Sequence, residues 1–176
     1  LLNNVSPSIK NKVLKDYINL ILRNQSKIIL ENKKDLKKAE KNNIKENLLK
    51  RLLLDKKKLL DITKSIKTII SFKDPVDRIL ERWRRPNGLK IEKKTIPIGV
   101  IAVIYESRPN VTSDVATLCF KSGNSVILKG GSEAYYSNKI LINLFQKALQ
   151  INKVSKNYVQ FVESKDRKTV DFLLTR

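Results

Sequence analysis

The sequence predicts an α/β fold in which N-terminal helices are followed by a partial parallel sheet of the Rossmann type. Residues 6 to 72 carry apolar side chains at helical spacing among many polar ones. From about residue 99, uncharged strand-like runs alternate with amphipathic helices, which is typical of βαβ units with right-handed crossovers. Only three such strands are recognisable, half of a doubly wound sheet at most, so we expect an incomplete fold, a fragment of a longer protein.

The helical segment should begin at Ser6-Pro7, a side-chain cap followed by proline at the first helical position. A second helix is predicted for residues 26–42. The short apolar stretch "NLLKRLLLD" reads as a core helix, and Asp55 is expected to cap a further helix that ends before Asp74-Pro75. These elements predict a helical layer that packs against whatever follows.

After this segment, the spacing of the apolar residues changes from that of a helix to that of a strand. "GLKIEKKTIPIG" alternates apolar and charged residues as a half-exposed strand does. A buried strand "VIAVIY", a helix closed by Gly123, a second buried strand "SVILK", a long helix, a third strand "YVQFVES" and a helix capped by Asp166 should follow. We therefore divide the chain into a helical lead at residues 1–87, an edge strand at 88–98 and a partial βαβ unit at 99–176.

Composition narrows the classes of function. The 176 residues carry 37 Lys and Arg against 17 Asp and Glu, a net charge of +20, so a basic nucleic-acid binder is one alternative. The lysines are scattered along the whole chain, however, and fill solvent positions. One cysteine and no histidine exclude an internal disulfide and leave no expected metal site. Without an apolar run of about 18 residues we expect no membrane partner and a cytoplasmic protein.

A cluster of polar residues follows the first buried strand, in "YESRPNV". Parallel sheets bind ligands at the carboxyl ends of their strands, so Glu106, Ser107, Arg108 and Asn110 are candidate site residues. The Asn110 amide can donate to an oxyanion, and the Arg108 guanidinium can bind a carboxylate or phosphate through paired hydrogen bonds. In a purely structural alternative, Arg108 pairs on the surface with Glu106 or Asp114, and Asn110 caps the next helix.

The second candidate site is "ILKGGSEA", where a strand ends and a helix begins. Lys129 can bind a phosphate or a ribose hydroxyl, Gly130 and Gly131 permit a tight turn, and Ser132 and Glu133 can accept hydrogen bonds from a ribose. The layout suits a nucleotide, although it is neither a dinucleotide fingerprint nor a P-loop. Alternatively, the glycines serve only the geometry of the turn.

Cys119 lies in "DVATLCFKSG" on the apolar face of a predicted helix. A thiol in such a place packs as a small hydrophobic group, and burial raises its pKa. The chain has no histidine to activate it. We therefore predict that Cys119 is a core residue and not a nucleophile.

Residues 97–138, "PIGVIAVIYESRPNVTSDVATLCFKSGNSVILKGGSEAYYSN", closely resemble the γ-glutamyl phosphate reductase (glutamate-5-semialdehyde dehydrogenase) family of the aldehyde dehydrogenase superfamily. "DPVDRILERWRRPNGLKIEKKTIPIGV" and "VQFVESKDRKTVDFLL" are similar to the flanking segments of that family, so the resemblance covers nearly the whole chain as an N-terminal part. It implies an aldehyde-dehydrogenase-like architecture with a cofactor domain, a catalytic domain and a small strand-based oligomerisation element. The related part of bifunctional pyrroline-5-carboxylate synthase is almost as similar.

The resemblance implies that L-glutamyl 5-phosphate is reduced with NADPH to L-glutamate 5-semialdehyde and phosphate, in proline biosynthesis. In that family a cysteine thiolate attacks the acyl phosphate, and hydride reaches the resulting thioester. The nucleophilic cysteine lies beyond the matched segment, so the catalytic cysteine domain is absent here and the fragment alone should be inactive. A homo-oligomer of the full-length protein and functional coupling to glutamate 5-kinase are also implied, with no nucleic acid or membrane partner.

The resemblance also assigns roles to residues. It implies oxyanion support by Asn110 and NADPH binding by the 99–176 unit. It places Lys129, Ser132 and Glu133 at the ribose of the cofactor. Together with the motifs, this predicts substrate binding by Glu106, Ser107 and Arg108 and cofactor binding by Lys129, Gly130, Gly131, Ser132 and Glu133. An inactive nucleotide-binding or subunit-interacting module and the basic nucleic-acid binder remain the alternatives.

Overall fold

The structure is a computed structural model that describes residues 5–164 and 168–175. Its first part consists of the four helices α1 (Pro7–Arg23), α2 (Gln25–Lys41), α3 (Glu46–Leu52) and α4 (Lys56–Ser71). The Ser6 hydroxyl accepts from the backbone N–H of Ile9 at 3.4 Å, and the Asp55 carboxylate accepts from that of Lys58 at 2.7 Å. Both predicted caps are therefore formed.

An exposed hairpin follows the helices. Strand β1 (Ile79–Arg84) pairs in antiparallel fashion with β2 (Lys90–Lys94), and Gly88 has a φ of +86° in the turn between them. We had expected residues 79–84 to belong to the helical lead and the strand in residues 88–98 to form a sheet edge. Instead, this hairpin is a separate two-stranded sheet.

The parallel sheet has three strands, β3 (Val100–Ile104), β4 (Ser125–Lys129) and β5 (Val159–Phe161), in the order β3-β4-β5. Helix α5 (Pro109–Lys121) joins the first two strands, a 3₁₀ turn (Ser132–Ala134) and α6 (Tyr135–Ile151) join the last two, and α7 (Lys168–Leu174) follows. The α/β class, with helices leading into a partial parallel sheet, is confirmed. The predicted cap Asp166 lies outside the described residues.

The strand "VIAVIY" is less buried than predicted. β4 is central and almost wholly buried, whereas β3 lies at the edge of the sheet, with Val100 62 % and Ile104 43 % exposed. The expectation of a fully buried strand was wrong for β3, because no described element covers the face that carries Val100, Ala102 and Ile104.

Aromatic rings fill the centre of the core between the helices and the sheet. The Phe145 ring centroid lies 4.6 Å from that of Tyr17 and 5.8 Å from that of Phe120, and Phe120 is 5.5 Å from Tyr158. Cys119 belongs to the same core with 8 % exposure, and burial raises the pKa of its thiol. The prediction that Cys119 is a core residue is confirmed.

No helix in the part of the chain that the structure describes is both long and apolar enough to cross a membrane.

Candidate ligand site at the carboxyl edge of the sheet

Two loops leave the parallel sheet side by side. Strands β3 and β4 are neighbours and run in the same direction, with Ile104 opposite Lys129 at their ends. The N–H of Tyr105 still donates to the carbonyl of Lys129, at 3.1 Å. Residues 106–108 and 130–133 therefore begin at the same edge of the sheet, where ligands of parallel α/β folds bind.

A carboxylate joins the two loops. The Ser107 hydroxyl donates to Oε2 of Glu133 at 2.6 Å, and the Ser132 hydroxyl donates to Oε1 at 3.0 Å. Burial alone would raise the pKa of Glu133, but the hydrogen bonds from Ser107, its own backbone N–H and Ser132 outweigh burial and lower it. Glu133 is therefore an ionised acceptor, and a carboxylate has lone pairs beyond those that the two serines occupy.

The two glycines permit close approach rather than an unusual backbone conformation. Neither has a positive φ. A Cβ on Gly131 would lie 2.6 Å from Oγ of Ser107, and one on Gly130 would collide with the amide of Asn138 and lie 3.1 Å from the Tyr105 ring. The absence of a side chain at Gly131 thus lets the Ser107 loop reach Glu133. A glycine that served only the geometry of the turn would not need this close contact.

Gly131→Ala should lower the free energy of unfolding by about 1–3 kcal/mol, since overpacked side chains must move. The new methyl group meets Oγ of Ser107 at 2.6 Å, Oε2 of Glu133 at 2.8 Å and the Ser107 backbone N at 3.2 Å. Thermal unfolding checks the loss. In the double variant with Ser107→Ala, the nearest obstacle is removed, so the two effects should be smaller together than their sum. Strictly additive losses would contradict this geometry.

The larger cavity at this edge has a volume of about 440 Å³. The loops contribute Glu106, Ser107, Arg108, Gly131 and Glu133. Helix α3 and its approach supply the rest of the wall, Ile44, Leu48, Arg51 and Leu52, with Tyr105 beside them. Sequence reasoning missed Arg51, because nothing in a short apolar helix indicates which loop it packs beside.

A second cavity of about 240 Å³ lies next to the first and shares Tyr105, Gly131 and Glu133 with it. Its other lining residues are Ile104, Lys129, Gly130, Ser132 and Val170. All five residues that the sequence indicated for cofactor binding therefore lie around one space. Lys129 is only 9 % exposed, and its ammonium approaches the carbonyl of Gly130 at 3.5 Å.

Asn110 lies apart from these cavities. It is the second residue of α5 and lines a space of about 310 Å³ between α4 and α5. Its amide donates to Asp114 at 3.5 Å, and Asp114 also accepts from the Ser65 hydroxyl at 3.0 Å. The cap position is taken by Arg108, so the alternative in which Asn110 caps the helix is wrong.

Buried polar side chains hold the walls of the site. Asn32 of α2 accepts from the N–H of Leu54 at 2.8 Å and donates to the carbonyl of Leu52 and the Ser137 hydroxyl, both at 2.9 Å. Asp35, on the next turn, accepts from the N–H and the hydroxyl of Ser137 at 2.8 and 2.6 Å. The end of α3 and the start of α6 are thereby joined through two side chains that are at most 1 % exposed.

A second buried network supports the glycine turn from below. The hydroxyls of Tyr105 and Thr112 lie 2.7 Å apart, and Thr112 donates to Oδ1 of Asn138 at 2.8 Å. Since the Thr112 hydrogen goes to Asn138, the Tyr105 phenol is the donor to Thr112. Burial raises the pKa of Tyr105 to about 12 despite its hydrogen bond with Thr112. The phenol is thus neutral at physiological pH, and its ring lines both cavities.

The fold is aldehyde-dehydrogenase-like. A crystal structure of propionaldehyde dehydrogenase from Rhodopseudomonas palustris superposes on 98 % of this chain and 36 % of its own, with a TM-score of 0.65 at 16 % identity, which shows the fold alone. No family model matches the chain.

Among proteins of this fold, the chain is homologous to part of the gamma-glutamyl phosphate reductases. The matches fit an N-terminal part of these relatives. The reductase of Nautilia profundicola is 49 % identical over 162 residues, which are 92 % of this chain and 39 % of the relative. The crystal structure of the Thermotoga maritima reductase matches with a TM-score of 0.94 and 38 % identity over 96 % of this chain and 41 % of its own. The resemblance seen in residues 97–138 is confirmed, and the chain spans about two fifths of these relatives.

Proposed function

We propose that this chain forms the cofactor-binding side of the active site in a gamma-glutamyl phosphate reductase. Such an enzyme reduces L-glutamyl 5-phosphate with NADPH to L-glutamate 5-semialdehyde and phosphate, a step of proline biosynthesis in the cytoplasm. The observation that carries the proposal is the likeness to the Thermotoga maritima reductase, with a TM-score of 0.94 at 38 % identity. The activity is proposed for these residues together with the catalytic cysteine region of such a reductase.

The chemistry of the 240 Å³ cavity fits a nicotinamide nucleotide, which supplies a hydride when bound. The ionised Glu133 can accept from a ribose hydroxyl while Ser107 and Ser132 hold it in place. Lys129 brings a positive charge to the same space, and this favours NADPH, whose additional phosphate needs a cationic partner. The glycine turn allows the two loops to close around the nucleotide.

The substrate is proposed to bind beside Glu106, Ser107 and Arg108 in the 440 Å³ cavity. A guanidinium binds a carboxylate or phosphate with two parallel hydrogen bonds, and L-glutamyl 5-phosphate carries both groups. The thiolate that attacks the acyl carbon and expels phosphate is not supplied by Cys119, which is buried in the core. Asn110 remains a prediction for oxyanion support, and it lines the separate space between α4 and α5.

We further propose that the complete enzyme is a homo-oligomer coupled in function to a glutamate 5-kinase. The exposed β1–β2 hairpin, where Leu80 is 52 % and Trp83 43 % exposed, supports the oligomer. An acyl phosphate is a reactive mixed anhydride, which favours its direct use after the kinase has formed it.

A chimera tests the function. Residues 1–176 replace the superposable part of the Thermotoga maritima reductase, and the purified chimera is assayed for oxidation of glutamate 5-semialdehyde that requires both NADP⁺ and phosphate. We expect turnover, growth of a proline auxotroph that expresses the chimera, and no turnover from the 176-residue chain alone. Lys129→Ala in the chimera should raise KM for NADP⁺ about tenfold or more, because a charged hydrogen bond is lost.

The chimera also separates this proposal from a nucleotide-binding module without catalysis. The convergence of Lys129, Ser132 and Glu133 on one cavity of about 240 Å³ favours that module as the second candidate. A chimera that unfolds cooperatively and binds NADPH but shows no turnover would favour the module. A chimera that turns over without any effect of Lys129→Ala on KM for NADP⁺ would contradict the placement of the cofactor.

A further inference from the structure

Two arginines from distant parts of the chain reach the 440 Å³ cavity. Arg51 lies in the last turn of α3, and Arg108 lies at the cap position of α5. Both side chains are exposed and both line the cavity. Within residues 5–164 and 168–175, neither guanidinium takes part in an ion pair. Both guanidiniums therefore line one space without an ion pair to Glu106 or Glu133, the two carboxylates that line it as well.

The residue that follows each arginine in the sequence is buried. Leu52, next to Arg51, is 2 % exposed, packs against Ala39 and Ala134, and has its carbonyl bonded to the buried amide of Asn32. Pro109, next to Arg108, is buried as the first residue of α5. The backbone at both arginines is thus held in place, so binding a ligand need not order the backbone there.

The carboxylates that line the cavity, Glu106 and Glu133, do not form ion pairs with the arginines. Glu133 is hydrogen-bonded by Ser107 and Ser132. Glu106 is exposed and, in the described part of the chain, forms no ion pair with either arginine. The donors of both guanidiniums are therefore available to an anion that enters the cavity. A phosphoryl group has enough acceptor oxygens to bind both planar forks at once.

Beside Arg51, the side of the cavity that α3 and the residues before it form is apolar, with Ile44, Leu48 and Leu52. These side chains offer apolar surface next to the guanidiniums. It suits a ligand whose phosphoryl group is attached to a carbon skeleton.

From these observations we infer that Arg51 and Arg108 form a two-arginine subsite for a phosphoryl group. The inference rests on the function proposed above and extends it to α3, a helix outside both sequence motifs. Two sources carry this chemistry, the acyl phosphate of the substrate and the 2′-phosphate of the cofactor. The adjoining cavities share Glu133 and Gly131, so either group can reach the subsite.

Kinetics of the chimera test the subsite. Arg51→Gln and Arg108→Gln are compared with Arg85→Gln, which removes the same charge from the exposed hairpin turn. If the phosphoryl group is that of the substrate, KM for inorganic phosphate rises about tenfold to a hundredfold in the first two variants while KM for NADP⁺ is unchanged. If it is that of the cofactor, KM rises for NADP⁺ but not for NAD⁺. Arg51→Lys should restore part of either loss.

Two results would overturn the subsite. In one, KM stays the same for phosphate and for NADP⁺ in both cavity variants. In the other, Arg85→Gln raises KM as much as they do, which would indicate a general effect of charge. Thermal unfolding of each variant checks the fold, and both side chains are exposed, so we expect melting temperatures equal to that of the unmodified chimera.

Ligand binding by the 176-residue chain tests the two-arginine subsite without catalysis. Inorganic phosphate or adenosine 2′-phosphate is titrated onto the ¹⁵N-labelled chain, and the arginine Nε–Hε signals are followed by NMR. The signals of Arg51, Arg108 and Arg85 are assigned from their loss in the corresponding glutamine variants. In the unmodified chain, the signals of Arg51 and Arg108 should shift on titration, and that of Arg85 should not. An inactive chimera with shifting signals would refute the proposed function and keep the subsite, whereas signals that do not shift would refute the subsite.

Discussion

Replacing Phe145 with alanine should lower the free energy of unfolding by about 3–5 kcal/mol, because a fully buried ring leaves a cavity that the core fills only in part. Phe145 has no exposed surface, and its ring is in contact with those of Tyr17 and Phe120 on two other helices. The melting temperature of a domain of this size should fall by about 10 °C or more. Urea unfolding followed by circular dichroism measures the change directly.

Phe145→Leu is the matched control. Leucine keeps most of the apolar volume but loses the tilted contact with Tyr17, at 4.6 Å between ring centroids, and the edge-on contact with Phe120, so a loss of about 1 kcal/mol is expected. An alanine variant as stable as the leucine variant would mean that the described core is not the one that forms in solution.

Asp35→Ala should lower the free energy of unfolding by about 3 kcal/mol or more, since it leaves buried donors without an acceptor. Asp35 is wholly buried and accepts from the N–H groups of Tyr136 and Ser137 at 3.1 and 2.8 Å and from the Ser137 hydroxyl at 2.6 Å. These N–H groups open α6, directly after the turn that carries Glu133. The variant should therefore weaken NADPH binding as well as the fold.

The pH dependence of the free energy of unfolding, compared between the wild type and Asp35→Asn, separates the effect of the Asp35 charge from that of its shape. Burial raises its pKa in the fold, although the hydrogen bonds from Ser137 and Tyr136 and the charge of Lys38 act against burial. A raised pKa in the folded state means that the stability from this group is fully present below the ordinary pKa and is lost as the pH rises through the raised value. The advantage of the wild type over Asp35→Asn should thus shrink as the pH rises from the ordinary pKa of 3.8 through the raised pKa.

An advantage that grows with pH would contradict this sign and show that the hydrogen bonds outweigh burial. Asparagine retains one acceptor oxygen but turns an amide donor toward an N–H group, so Asp35→Asn should remain less stable than the wild type at every pH.

The parts of the fold that sequence reasoning predicted are those where burial leaves a pattern. Ser6 and Asp55 cap the helices as expected, and the central strand β4 is buried as an uncharged run predicts. Strand β1 was missed, since "ILERWR" is exposed on both faces and its register shifts between Ile79 and Glu81, so it shows no alternation. A local pattern cannot reveal that β3 lies at the edge of the sheet.

For the site, the rule that parallel strands end at one edge was sufficient to bring Ser107 and Glu133 to the same place. It could not show that the two side chains touch at 2.6 Å, since that depends on the close approach that Gly131 allows. Sequence reasoning could not predict Arg51 as a site residue, because the position of α3 is set by the buried side chains of α2 rather than by its own sequence.

Cys119 has a practical consequence. It is the only cysteine of the chain, and it lies in the core with 8 % of its surface exposed. A thiol reagent can therefore modify the protein only when the structure opens around α5, and the rate of modification reports how often that happens. The destabilised variants at Phe145 and Asp35 can be ranked in this way at room temperature, without denaturant and without an introduced label.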